Sequence, residues 1–126
     1  MANPAQTYAK NAQETGNIRE LEAQLLMRAA SRLQAVKDGE VTDNQNIISA
    51  VRYNRRLWLI FADGLNKAEN PLPLEIKKNV SRLAMFVLNR SRTIETATEM
   101  NPERLNVLIN INREIAAGLR TNAVAA

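Results

Sequence analysis

Apolar residues return every three or four positions along nearly the whole chain, and nothing alternates at period two for long enough to make a strand. That spacing gathers them on one face of an α-helix. Four such runs are legible, each bracketed by start and stop signals. The first opens at "NIRE", where Asn17 can cap while Glu20 reaches back at capping-box spacing. Ile18, Leu21, Leu25, Ala29, Leu33 and Val36 follow until Gly39 ends the run. The second opens at "TDNQ", with Thr42 or Asp43 as cap, and its stripe is Ile47, Val51, Asn54, Trp58, Phe61 and Leu65. Pro71 and Pro73 in "NKAENPLPLE" stop that helix and pre-set φ for the next. The third then carries Leu74, Ile76 or Lys77, Val80, Leu83, Val87 and Ile94. The fourth opens at "NPER", Asn101 capping and Pro102 at the first helical position, with Leu105, Leu108, Asn112, Ile115 and Leu119 as its stripe. "NPAQ" at 3–6 repeats that opening and predicts a short leading helix around Tyr8. Short links between long helices favour antiparallel neighbours. The predicted fold is therefore all-α, an antiparallel bundle of four main helices with a short extra N-terminal helix. It forms a single helical domain over 1–126, with 1–14 and 121–126 flexible.

At 126 residues, 45% of them apolar and 24% charged, the chain can bury a modest core without covalent help. It has no Cys and no His, so disulfides, the usual zinc sites and histidine-based triads are excluded. Glu95, Glu99 and Glu103 are spaced by four, but the break at "MNP" interrupts their shared face, so no metal site is expected. No glycine-rich phosphate loop and no base beside a serine is evident, so neither an enzyme nor a cofactor is expected. The start "MANPAQTYAK" lacks the apolar core of a signal peptide, and no apolar run approaches the roughly 18 residues that span a bilayer. Membrane insertion is not expected, and the default location is the cytoplasm. The formal charge of +4 is uneven: residues 51–92 hold nine Lys and Arg against Asp63, Glu69 and Glu75. That basic middle is either an ordinary solvated surface or a face for nucleic acid or an acidic protein.

Two stretches rhyme, "YNRRLWLIF" at 53–61 and "INREIAAGL" at 111–119. Asn54 lies three after Val51 and four before Trp58, and Asn112 lies likewise between Leu108 and Ile115, so both amides fall within apolar stripes. Each then needs a partner. Either the amides pair inside the bundle and set its register, or they face a groove and bond another chain. The next residues, Arg55 and Arg113, have no carboxylate three or four positions away. Their counter-charges come from another helix, from solvent or from a partner. "LWLIF" at 57–61, "LAMFVL" at 83–88 and "LNVLINI" at 105–111 also hold more apolar residues than one buried stripe requires. Either helices two and three are packed on several sides, or the surplus lines an exposed groove.

The segments "RELEAQLLMRAASRL" (19–33), "NRRLWLIFADGLNKAENPLP" (54–73) and "LNVLININREIAAGL" (105–119) resemble the FlaF family, flagellar biosynthesis regulators of alphaproteobacteria. Asn54, Arg55, Leu57, Trp58 and Phe61 carry the pattern in the middle piece, and Asn112, Arg113, Gly118 and Leu119 in the last. The resemblance implies a cytoplasmic helical protein needed for flagellin production and export, acting alongside the regulator FlbT. It also implies a chaperone-like role in which newly made flagellin is bound before secretion. It brings no catalytic residues.

The expected partner is accordingly flagellin, with FlbT as a second candidate and the oligomeric state open. The expected site is a groove lined by Leu57, Trp58, Phe61, Met85 and Phe86 that covers an amphipathic helix. Asn54 and Asn112 would set the register of that helix, and Arg55 and Arg113 would engage its carboxylates. The alternative is post-transcriptional action on flagellin messenger RNA, directly or through FlbT. Single-stranded RNA recognition wants exposed aromatics among basic residues, and Tyr53, beside Arg52 and Arg55, is the one stacking candidate. A self-associating bundle is a third reading.

Overall fold

A computed structural model of the chain describes residues 3–6 and 18–125, the side chains of 122–125 aside. Four long helices follow one another: α1 (Ile18–Lys37), α2 (Asn44–Leu65), α3 (Leu74–Thr96) and α4 (Glu103–Ala125). Residues 4–6 form a helical turn ahead of them. Among the described residues there is no strand, and the architecture is the all-α bundle with a short leading helix that the periodicity predicts. No helix among them is long and apolar enough to cross a membrane. The Asn17 cap and Tyr8 lie outside the described residues, as do positions 7–14 of the expected flexible start.

Local chemistry explains the helix ends. Asp43 caps α2, its Oδ2 accepting from the Asn46 backbone N–H at 3.0 Å. The Asn46 side-chain amide, and after it that backbone bond, hold the Asp43 carboxyl below its ordinary pKa. Asn101 and Asn3 repeat one device, each accepting through Oδ1 from the backbone N–H two residues on, Glu103 at 3.1 Å and Ala5 at 2.8 Å. In each case a proline fills the intervening position, where no N–H is needed. After α1, Gly39 takes a φ of +81°, a left-handed conformation that only glycine enters without strain, and Glu40 N–H closes back on Ala35 at 2.9 Å.

One core runs through the bundle. α1 and α4 share the longest contact line, and Lys37 bonding Asn106 at one end with Arg120 bonding Glu20 at the other fixes them antiparallel. α2 lies between α1 and α3. α3 rests mainly on α2 and touches α4 only lightly, so α3 is the outer member of the bundle.

The predicted stripes of α1, α2 and α4 are buried at nearly every position. The exceptions are Ile18, which is exposed, and Ile115, which is partly covered. On α3 the pattern departs from expectation. Its inner face is Val80, Ala84, Val87, Ser91 and Ile94, while Leu83 is half-covered and Leu74 is 65% exposed. Leu72 is buried instead. The cause is Asn70, whose Nδ2 donates to the Gly64 carbonyl at 3.1 Å while its Oδ1 accepts from Leu72 N–H at 3.0 Å. That bridge pins the linker to the end of α2 and turns Leu72 inward.

Candidate functional site

Asn54 and Trp58 of α2 and Asn112 of α4 are fully buried, and they form one hydrogen-bonded seam. Trp58 Nε1 donates to Asn112 Oδ1 at 2.8 Å. Asn112 Nδ2 donates to Asn54 Oδ1 at 2.7 Å and to the Leu26 carbonyl of α1 at 3.1 Å. One amide thus ties three helices at one level. Phe61 packs edge-on against Trp58, with ring centroids 5.7 Å apart. The rhyming amides are therefore an internal register device: Asn112 meets its partners inside the fold and not on another chain.

Among the described residues no groove exposes Trp58. Leu57, Trp58 and Phe61 are all buried. α2 has α1 on one flank and α3 on the other, and reaches α4 through Trp58, so Leu57, Trp58 and Phe61 are taken up by its own neighbours, while Leu59 of the same run stays exposed. Arg55 also finds its counter-charge at home: its Nε donates to Glu95 of α3 at 2.9 Å, and Arg52 donates to the same carboxylate at 2.9 Å. Glu95 is therefore an ion-pair acceptor between α2 and α3. Arg113, exposed on α4, donates to Gln34 of α1 at 3.3 Å.

Of the nine expected partner-binding residues, Met85 and Phe86 are the apolar ones at the surface, 62% and 37% exposed. They sit on α3 opposite its inner face. Lys78 and Arg82 precede them on the outer side, and the Arg90 guanidinium lies 5.3 Å from the Phe86 ring centroid. With Lys77 and Arg92, α3 carries five cations against Glu75 and the already paired Glu95. The outer surface of α3 is thus an apolar spot with a basic surround, the residue mix of an interface anchor.

Tyr53, the stacking candidate for RNA, is buried, and the Arg32 guanidinium covers its ring at 4.5 Å. No face of it is open to a base. Glu22 of α1 is a buried carboxylate that pattern reading passed over. It accepts from Arg19 and borders a small void with Leu26, Leu57 and Phe61. Burial pushes its pKa up to about 7, against the opposing pull of Arg19. Its place at the edge of the α1 stripe was visible in the sequence; which neighbours seal it was not.

The model of the family described as flagellar protein FlaF matches residues 4–119. No curated protein and no solved structure matches the chain.

Proposed function

The chain belongs to the flagellar protein FlaF family, and from that premise we propose that it works in the cytoplasm as a non-enzymatic regulator of flagellum biosynthesis. In this reading it binds flagellin in the manner of a secretion chaperone and supports its synthesis and export. The observation that carries the reading is the outer face of α3, where Met85 and Phe86 stand exposed among Lys78, Arg82 and Arg90. An exposed Met–Phe pair is costly in water and adaptable in contact. The basic surround selects a helix whose apolar stripe is edged with carboxylates, and a helical segment of flagellin is the proposed occupant. The absence of His and Cys and of an acid–base pair in a cleft favours binding over catalysis.

The test is calorimetric titration of purified flagellin into the parent chain and into a Met85→Glu/Phe86→Glu variant. Neither side chain belongs to the core, so the variant should keep its helical circular dichroism. It should lose about tenfold or more in affinity, as expected when a central apolar anchor is replaced by charge. Equal affinity of parent and variant would remove flagellin from this face. The messenger-RNA reading retains the basic surface but has lost Tyr53 as a stacking platform. It makes the opposite forecast, a complex that weakens steeply with added salt and ignores the Met85/Phe86 change.

A further inference from the structure

A second surface, distant in sequence from the α3 face, has its own charge logic. A cleft of about 780 Å³ opens between residues 3–4, Arg32 of α1 and the first turns of α2 as far as Arg56. Among the described residues, three arginines line it, Arg32, Arg52 and Arg56, and no acidic side chain does. Each is short of negative charge for a different reason. Arg32 lies over the Tyr53 ring, and its Nη1 is buried with no hydrogen-bond partner among the described residues, a donor that a protein rarely leaves empty. Arg56 has Arg52, Tyr53, Leu59 and Ile60 as its helical neighbours and forms no ion pair among the described residues. Arg52 shares the single carboxylate of Glu95 with Arg55, so that cluster keeps a net positive charge.

We propose that this cleft binds an acidic peptide segment, with carboxylates seated on the guanidinium groups of Arg32 and Arg56. Planar guanidinium forks match carboxylates two bonds at a time. Asn44, Gln45 and Ser49 on the same wall offer amide and hydroxyl partners for a peptide backbone, and Ile48 and Pro4 offer apolar footing. Phosphate would satisfy the arginines too, but single-stranded nucleic acid is held by base stacking on open aromatic faces as well, and the Tyr53 ring is covered by Arg32. The site is separate from the α3 face and stands or falls without it.

The probe is a short fluorescein-labelled peptide of alternating glutamate and alanine, titrated against the full chain and followed by anisotropy. The same peptide with glutamine for glutamate and an oligouridylate are the comparison ligands. The glutamate peptide should bind and the glutamine peptide should not. Arg56→Glu, at an exposed position, should weaken binding by about tenfold or more, and Arg32→Gln should do likewise where it remains folded. Arg82→Glu on α3 should change nothing here, which separates this site from the flagellin-binding face. Equal binding of the two peptides, no binding of either, or full affinity in Arg56→Glu overturns the proposal. So does an oligouridylate that binds more tightly than the peptide through the same two arginines, since that gives the cleft to nucleic acid.

Discussion

Asn112 uses both ends of its amide, receiving from Trp58 and giving to Asn54 and Leu26, whereas Asn54 Nδ2 has no partner among the described residues. The two rhyming residues are thus unequal in energy. Asn112→Leu strands the Trp58 N–H and the Asn54 carbonyl oxygen in a dry interior, a loss of about 3 kcal/mol or more by the usual cost of unmade buried hydrogen bonds. Asn54→Leu removes one acceptor and also removes an orphaned donor, and should cost no more than about 1 kcal/mol. Urea denaturation of the two variants checks this; equal losses would contradict the seam. Glu22 sets a pH dependence. Unfolded, it loses its proton near 4.5; folded, it keeps it to about 7. Between those values the folded state holds the extra proton, so stability is greatest below 4.5 and declines as pH rises, by about 3 kcal/mol in all, levelling off above 7. In Glu22→Gln that decline should vanish, leaving the variant more stable than the parent at pH 8. Parallel pH profiles for the two proteins would remove Glu22 as the cause.

The helices themselves differ in how firmly they are held. α1 buries nine residues across a broad face, while α3 buries five, two of them the small Ala84 and Ser91, and it barely meets α4. Less apolar area leaves water when α3 docks, so less free energy retains it. The double ion pair on Glu95 is its polar attachment to α2, and part of it is shielded from solvent. Amide hydrogen exchange should therefore be fastest along α3 among the four helices, and Glu95→Gln should speed α3 further while leaving α1 and α4 nearly unchanged. Uniform protection across the bundle would contradict this ranking. The same looseness explains why the α3 stripe was the least legible: an outer helix carries apolar residues on both faces, and periodicity does not say which face turns inward. Leu74, expected on the stripe, is exposed and Leu72 is buried for a related reason, since the Asn70 bridge lies in a linker where no period applies.

Across the whole molecule, the basic middle of the sequence contributes to two surfaces, the outer face of α3 and, through Arg52 and Arg56, the cleft that Arg32 of α1 also lines. Their chemistry separates them. The flagellin binding proposed for Met85 and Phe86 should persist in moderate salt, because removal of apolar area is screened little. Binding of the acidic peptide in the cleft should fall with salt, because it depends on charges at the solvent boundary. Measuring both affinities at low and physiological ionic strength checks the division, and an identical salt response would argue for a single shared site. The Arg32 cleft was invisible to sequence reading because its arginines lie on different helices and the feature that matters, an absent acceptor, exists only once those helices pack.

The sequence alone determined the helices, most of their caps, the buried stripes of α1, α2 and α4, and the family likeness. All of these follow from spacing along one chain and from side chains acting on their own backbone. Only the tertiary structure decided which side chains are left at the surface for the proposed binding face. Whether an apolar or charged residue is spent inside or left over depends on what stands opposite it. Trp58 meets Asn112 from another helix and Arg55 meets Glu95, so both are spent, while Met85 and Phe86, on the bundle's outer member, face water.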